Sequence, residues 1–251
     1  MNDVILRTEG LSKHFGGLIA VDDFTAEVFE GEILGILGPN GAGKTTLFNM
    51  LSGYYKPTNG RFFLRDKDIT NRNAERVAEL GIVRTFQIVR LFNKLTVYEN
   101  LLIPCLSPRM ASRLKDQNDR DRHIREIAEE VHINELLHES VVNLPQGTKK
   151  LVEFARALAN SPDVLLLDEP FAGLNPVEVE PLIEVILHFN KKGKTLVIIE
   201  HKLHEFMKLV QRVIAMDRGK IIATGTPKEI AQNPEVVEAY LGKGAKRFVS
   251  S

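Results

Sequence analysis

One segment has the residue types and spacing needed to hold a triphosphate group. Residues 38–45 read GPNGAGKT, which fits the pattern G-x-x-x-x-G-K-[ST]. Glycines let successive backbone N–H groups curl around an anion, and a helix that follows adds the positive end of its dipole. Lys44 would neutralise the β- and γ-phosphates, and the Thr45 hydroxyl would bind Mg²⁺. The predicted phosphate loop comprises Gly38, Pro39, Asn40, Gly41, Ala42, Gly43, Lys44, Thr45 and Thr46.

A second segment supplies the acidic groups that magnesium-assisted phosphate chemistry needs. Four apolar residues, 164–167, precede Asp168 and Glu169, which is typical of a buried strand in a parallel sheet. Asp168 would emerge at the carboxyl end of that strand, where parallel sheets bind ligands, and would hold Mg²⁺ through water. Glu169 would polarise the attacking water, a role worth about 10²- to 10⁴-fold in rate. A strand that simply ends in an acidic turn is common, but the phosphate loop favours the catalytic interpretation.

Strands and helices are predicted around both segments. Residues 32–37 indicate a short buried strand before the phosphate loop, and residues 45–53 indicate a helix after it. The acidic segment is followed by a predicted helix from about residue 176 to 190. Further strands are predicted for TLVIIE, VIAMD and KIIATG. These elements place the two segments on one parallel α/β core.

Two stretches do not follow the alternating order of strands and helices that is typical of a parallel α/β core. The first 30 residues indicate β structure. Turn residues are expected there at Gly16, Gly17, Asp22, Asp23 and Gly31. Residues 88–144 combine mixed charges with apolar residues at helical spacing from 124 to 131, which predicts a helical insertion.

The length and composition fit one soluble globular domain with an insertion. Of 251 residues, 43% are hydrophobic and 26% charged, which excludes a disordered or fibrous protein. Lys and Arg together number 33, as do Asp and Glu, so we expect no nucleic-acid partner. We expect one domain over residues 1–242, with a core formed by 1–87 and 145–242, a helical subdomain at 88–144, and a loose tail at 243–251.

The sequence indicates a cytoplasmic protein. Cys105 is the single cysteine, so no internal disulfide can form. The first residues lack the basic and apolar regions of a signal peptide. No apolar stretch approaches the roughly 18 residues that a membrane-spanning helix needs. Any membrane that this protein serves would be crossed by another chain.

The motifs and their order resemble the ATPase subunit of ATP-binding-cassette (ABC) transporters, from Leu6 to about Leu241. The resemblance implies an α/β fold: a P-loop nucleoside-triphosphatase core with a mainly parallel sheet, an N-terminal antiparallel β subdomain and an inserted α-helical subdomain. It also implies that the chain hydrolyses ATP with Mg²⁺ as a cofactor.

The resemblance assigns roles to four further residues. Phe15 matches the aromatic residue that stacks on adenine, and Val21 would lie near the base and sugar. Gln87, in RTFQ, matches the glutamine that touches Mg²⁺ and the attacking water where the helical insertion begins. His201 matches a catalytic histidine that hydrogen-bonds the γ-phosphate. The spacing of His201 and His204 would also suit a metal pair, but no obvious third ligand accompanies them.

The family signature, which contacts ATP on the opposite subunit, is divergent here. The usual form is LSGGQ, whereas residues 144–148 read LPQGT. Pro145 replaces a serine hydroxyl and a backbone N–H, so two donors are lost. The N-terminus of the following helix still favours an anion, and we expect binding with slower turnover than in relatives with LSGGQ. The residues expected to bind ATP in trans are Leu144, Gln146, Gly147, Thr148 and Asn175.

The resemblance also implies partners. A second ATPase subunit, identical or paralogous, would form a head-to-tail dimer docked on transmembrane permease subunits at the inner face of the cell membrane. A periplasmic or extracellular substrate-binding protein would complete an importer. Asn175 would reach the partner subunit, and because Pro176 follows it, it also suits a helix N-cap.

Several longer stretches resemble the branch that imports branched-chain amino acids, among them GIVRTFQIVRLFNKLTVYENLL, DEPFAGLNP and NPEVVEAYLG. The ATPase of lipopolysaccharide-export systems is the nearest alternative, and a soluble ABC ATPase that serves no transporter is another. A GTPase is disfavoured because NKLT lacks the aspartate of N-K-x-D. A DNA-maintenance ATPase is disfavoured because the insertion is too short for long coiled-coil heptads.

Overall fold

The computed structural model describes residues 3–241, which form two β-sheets and the helices around them. The strands are β1 (Val4–Phe15), β2 (Leu18–Phe29), β3 (Ile33–Leu37), β4 (Asn59–Leu64), β5 (Lys67–Asp68), β6 (Ile82–Arg84), β7 (Val164–Asp168), β8 (Thr195–Ile199), β9 (Arg212–Asp217) and β10 (Lys220–Gly225). The helices are α1 (Lys44–Leu51), α2 (Ala74–Leu80), α3 (Val97–Cys105), α4 (Pro108–Ala111), α5 (Gln117–Glu130), α6 (Gln146–Leu158), α7 (Pro176–Lys191), α8 (Leu203–Leu209), α9 (Pro227–Gln232) and α10 (Pro234–Leu241). The predicted loose tail, 243–251, lies outside the described residues.

The six-stranded sheet is the mainly parallel core that the sequence predicts. Its order is β10-β9-β3-β8-β7-β6, and each neighbouring pair except β9 and β10 is parallel. Successive side chains of each central strand point to opposite faces of the sheet. In β7, Leu167 packs in the apolar cluster that includes α3, α5, α6 and α7, and Leu166 packs in the cluster that includes the second sheet. Burial on both faces explains the continuous apolar runs in the sequence. The phosphate loop, Asp168 and Glu169, and His201 follow or end strands β3, β7 and β8, and so share one edge of the sheet.

The second sheet, β2-β1-β4-β5, is antiparallel throughout, as expected for an N-terminal β subdomain. The expected turn at Asp22 and Asp23 is wrong, because both residues lie inside β2. The register between β1 and β2 shifts there, and Asp23 adopts φ +53° in a bulge. Aspartate tolerates this left-handed backbone in a bulge as well as in a turn, so its residue type could not distinguish the two.

The insertion is helical, as predicted. Between residues 88 and 144 the structure has α3, α4, α5 and two 3₁₀ turns, with a single β-bridge between Thr96 and Ser140. A capping box of Thr96 and Glu99 begins α3, and Ile124 and Ile127 bury one face of α5. Helix α6 packs against α3, α5 and α7, and therefore connects the insertion to the core. The subdomain boundaries at 87/88 and 144/145 remain predictions.

Two C-terminal helices extend the fold beyond the elements that the sequence pattern predicts. A capping box of Thr226 and Glu229 begins α9, and the side chain of Asn233 accepts the N–H of Glu235 at 2.9 Å at the start of α10. Both helices contact the β9–β10 hairpin. No helix between residues 3 and 241 has the length and apolar character needed to cross a bilayer.

Candidate nucleotide site

The predicted phosphate loop connects β3 to α1, as the motif requires. Gly41 and Gly43 adopt φ +82° and +100°, which other residues rarely do. At Gly43 an added Cβ would also collide with the carbonyl oxygen of Ala20, so the loop is closely packed against the N-terminal sheet. The loop borders a cavity of about 450 Å³ whose other walls come from both sheets. The lining residues are Leu18, Ile19, Ala20, Asn40, Gly41, Ala42, Gly43, Lys44, Thr45, Thr46, Glu169, His201 and Arg218.

Lys44 is buried at the base of this cavity. Its Nζ donates hydrogen bonds to the carbonyl oxygens of Gly38 at 2.6 Å and Pro39 at 3.0 Å. Burial lowers the pKa of Lys44, whereas the negative charges of Glu169 and Asp168 raise it. The ammonium is thus held beside the loop amides by backbone carbonyls, in the position from which it can pair with a phosphate.

The three residues predicted to be catalytic are in contact: Glu169 and His201 line the cavity, and Gln87 reaches Glu169 from outside its walls. Nε2 of Gln87 donates to Oε2 of Glu169 at 2.7 Å, and Nε2 of His201 lies 2.8 Å from Oε1 of the same carboxylate. Glu169 has φ +49°, and its backbone N–H donates to the carbonyl oxygen of Ile199 at the end of β8. This left-handed turn directs the carboxylate toward both Gln87 and His201. The Glu169 carboxylate thus connects Gln87, at the boundary of the helical insertion, with the ends of strands β7 and β8.

Asp168 is buried and ion-paired with a residue that the sequence analysis did not single out. Nη2 of Arg84 lies 2.6 Å from Oδ2 of Asp168, and their side chains are only 5% and 6% exposed. Nη1 of Arg84 donates to the side chains of Asn49 in α1 at 2.7 Å and of Ser52, the C-cap of that helix, at 3.3 Å. Arg84 lies in β6, the neighbour of β7, so it fixes the orientation of Asp168 from the adjacent strand. An arginine in an otherwise apolar strand was the available signal.

The oxygen donors of the site suit Mg²⁺. Thr45 offers a hydroxyl, Asp168 a carboxylate, and Gln87 the amide oxygen that its hydrogen bond to Glu169 leaves available. Within residues 3–241, no group of three or more His, Cys, Asp or Glu side chains could hold a metal. Magnesium bound with a nucleotide needs no such cage, since phosphates and water supply most of its ligands.

Neither of the two residues predicted to contact the base and sugar, Phe15 and Val21, lines the cavity. Phe15 is 42% exposed and packs edge-on against Tyr55, with ring centroids 5.4 Å apart. Leu18 and Ile19, which the sequence analysis did not single out, line the cavity and are exposed. Val21 is fully buried beneath Gly43. The predicted contacts of Phe15 and Val21 with the base and sugar remain predictions.

The residues predicted to act in trans lie outside the walls of this cavity. Leu144 is buried, Pro145 is the N-cap of α6, and residues 146–148 form the first turn of that helix. The N–H of Gly147 donates to Oε1 of Glu178 at 3.2 Å.

Asn175 is the N-cap of α7, as its alternative interpretation predicted. Its Oδ1 accepts the N–H groups of Val177 at 2.9 Å and Glu178 at 3.1 Å. The predicted contact of Asn175 with a partner subunit remains a prediction.

A buried lysine, Lys150, joins α6 to the segment that contains Gln87. Nζ of Lys150, on α6, donates to the backbone carbonyl of Gln87 at 3.0 Å and to that of Phe86 at 3.5 Å. Lys150 also pairs with Glu153, one helical turn away, at 3.9 Å. Both side chains are buried, so the contact holds the two segments together inside the protein.

The sequence matches the family model for "ABC transporter" over residues 21–172 and that for "Branched-chain amino acid ATP-binding cassette transporter" over residues 220–246. It is 39% identical to the high-affinity branched-chain amino acid transport ATP-binding protein LivG of Salmonella typhimurium, with 97% of this chain and 100% of LivG covered. It is 38% identical to BraF of Pseudomonas aeruginosa, described in the same terms, with the same coverage. The crystal structure of MJ1267, an ATP-binding cassette of an ABC transporter, in its ADP conformation has a TM-score of 0.86 at 35% identity, covering 96% of this chain and 99% of MJ1267. This chain belongs to the ATP-binding subunits of the ABC transporter family.

Proposed function

We propose that this chain powers the import of branched-chain or related amino acids, as the ATP-hydrolysing subunit of an ABC transporter. Family membership makes it an ATPase. The network of Gln87, Glu169 and His201 beside the phosphate loop is the observation that carries the proposal. The substrate class is supported by the names of LivG and BraF and by the branched-chain model at residues 220–246.

The network suits hydrolysis of the γ-phosphate. The loop amides and Lys44 would bind the phosphates, while Thr45, Gln87 and Asp168 would hold Mg²⁺. When bound, Mg²⁺ would neutralise charge on the β- and γ-oxygens. Glu169 would accept a proton from the attacking water, and its hydrogen bond from Gln87 and its close approach to His201 hold the carboxylate in place for that step.

The second active-site surface would come from a neighbouring ATPase subunit. In a head-to-tail dimer, the N-terminus of α6 and the start of α7 would face the nucleotide held by the partner. α6 has 13 residues, so its dipole favours an anion even without the serine of LSGGQ, and the N–H of Gly147 in its first turn already donates to the carboxylate of Glu178. The loss of two donors supports slower turnover than in relatives with the full signature.

The permease would dock beside the Gln87 loop. A cavity of about 740 Å³ lies between the core and the insertion, and its walls include Phe86, Arg90, Phe92, Ile103 and Arg156. The exposed side chains of Phe92 and Ile103 beside two guanidinium groups suit an amphipathic helix of a membrane subunit. Because Lys150 holds the carbonyl groups of residues 86 and 87, movement of this surface would be passed to α6.

This arrangement would place the chain at the inner face of the cell membrane, with a substrate-binding protein on the opposite side. The names of LivG and BraF and the branched-chain family model do not favour lipopolysaccharide export or a soluble ABC ATPase that serves no transporter.

Uptake of radiolabelled leucine tests the proposal in cells that lack the gene but retain the other transporter subunits. The wild-type chain should restore uptake, and Glu169→Gln should not. Glu184→Gln, an exposed carboxylate on α7, is the matched control and should restore uptake. If the wild-type chain released phosphate from ATP but restored no leucine, isoleucine or valine uptake, the ATPase would stand and the substrate assignment would be wrong.

A further inference from the structure

A tyrosine near the end of the described chain touches the first glycine of the phosphate loop. The backbone N–H of Gly38 donates a hydrogen bond to the hydroxyl oxygen of Tyr240 at 2.9 Å, across 202 residues of sequence. Tyr240 belongs to α10, within the segment that the branched-chain family model matches. The more general ABC transporter model matches only residues 21–172, so it does not include this tyrosine.

The surroundings of Tyr240 keep its hydroxyl in one place and one protonation state. The side chain packs against the main apolar cluster and, with Leu37 and Leu203, lines a groove between α8 and α10. Asn233 caps α10, which fixes the start of the helix. The Tyr240 phenol is neutral at physiological pH, burial raises its pKa further to about 12, and its oxygen accepts the Gly38 N–H.

Gly38 also contacts Lys44, the predicted phosphate-binding lysine, so the position of the Gly38 peptide affects that of Lys44. Its carbonyl oxygen accepts a hydrogen bond from Nζ of Lys44 at 2.6 Å. On the other side, an added Cβ at Gly38 would collide with the carbonyl oxygen of Met216, so the peptide lies directly on β9. Both polar groups of Gly38 are therefore used: the N–H is held by Tyr240, and the carbonyl orients Lys44.

We propose that Tyr240 is a positioning residue for the phosphate loop, through which the C-terminal helix sets the affinity for nucleotide. Tyr240 does not line the nucleotide cavity and would act only through the Gly38 peptide. The inference rests on nucleotide binding by the phosphate loop. It assigns to α10 a contribution to the ATP site that the known loop motif lacks.

Tyr240→Phe tests this inference, because it removes the hydroxyl and keeps the ring that fills the space beside α8. Loss of one neutral hydrogen bond should weaken binding of a fluorescent ATP analogue by about 2- to 10-fold at constant Mg²⁺. Tyr98→Phe is the matched control, since the Tyr98 hydroxyl is also hydrogen-bonded, to Asp121 and Gln117, but lies in the helical insertion. It should leave the affinity unchanged.

Amide hydrogen exchange gives a second readout, because a general loss of stability would accelerate exchange throughout the core, whereas loss of this hydrogen bond should accelerate it mainly at Gly38. Tyr240→Phe should accelerate exchange at Gly38 in the nucleotide-free protein, and Tyr98→Phe should not. Equal ATP affinity and equal Gly38 exchange in wild type and Tyr240→Phe would overturn the inference. If the wild-type protein itself failed to bind the ATP analogue, the nucleotide site would be wrong instead.

Discussion

Removal of Arg84 should destabilise the protein by leaving Asp168 unpaired. The two side chains approach to 2.6 Å and are 5% and 6% exposed, so water cannot replace the lost cation. Removing one partner of a buried ion pair costs about 3–5 kcal/mol. For a chain of this size, each kcal/mol of lost stability lowers the melting temperature by about 2–4 °C. Arg84→Met should therefore lower it by about 6–20 °C.

Urea unfolding followed by far-ultraviolet circular dichroism measures the loss in free energy of unfolding, and a thermal scan with the same signal measures the melting temperature. The chain has no tryptophan, so intrinsic tryptophan fluorescence is not an option. Arg65→Met is the matched control: Arg65 pairs with Glu30 at the surface, where the side chains are 54% and 39% exposed. Because exposed ion pairs contribute about 0–1 kcal/mol, this variant should unfold close to the wild-type midpoint.

A double variant separates the buried charge from the packing of Arg84. Arg84→Met with Asp168→Leu removes both charges, and it should recover most of the stability that Arg84→Met loses. A loss of less than about 1 kcal/mol in Arg84→Met would show that the unpaired carboxylate is not costly. A double variant no more stable than Arg84→Met alone would show that the carboxylate is not the cause of the loss.

Three further outcomes are expected. Glu169→Gln should retain ATP binding, lose about 10²- to 10⁴-fold in phosphate release and accumulate an ATP-bound dimer, and a variant that stays monomeric by light scattering at saturating ATP and Mg²⁺ would contradict the dimer. Phe15→Ala should keep the wild-type circular dichroism spectrum, because the ring is 42% exposed, and weaken ATP binding by about 1–3 kcal/mol; unchanged affinity would remove Phe15 from the site. Burial raises the pKa of the Cys105 thiol to about 11, so labelling by a thiol reagent at pH 8 should be slow in the native protein and fast in urea, and equally fast labelling would contradict its burial.

The parts of the fold that the sequence predicted are those with local signals. Strands β3, β7 and β8 are buried on both faces and therefore appear as short apolar runs. The phosphate loop is defined by consecutive residues. The family resemblance identified Gln87 and His201, but it did not show that both contact Glu169.

The contacts that sequence reasoning missed join distant parts of the chain. Arg84 and Asp168 are 84 residues apart, Lys150 and Gln87 are 63 apart, and Tyr240 is 202 residues from Gly38. A single arginine, lysine or tyrosine does not indicate its partner when only the folded sheet brings the two together. The short helices α9 and α10 were missed because their sequences carry capping signals but too few turns for a periodic pattern.

The left-handed backbone at Glu169 lowers the stability of the folded protein at a residue that ATP hydrolysis is proposed to need. A non-glycine residue at φ +49° loses roughly 1–2 kcal/mol relative to a relaxed conformation, and glycine would relieve that strain. Glycine would also delete the carboxylate that Gln87 and His201 contact. Laboratory selection for heat resistance alone should therefore favour Glu169→Gly, which lacks the proposed catalytic carboxylate. Selection for growth on an imported nutrient should retain the strained glutamate.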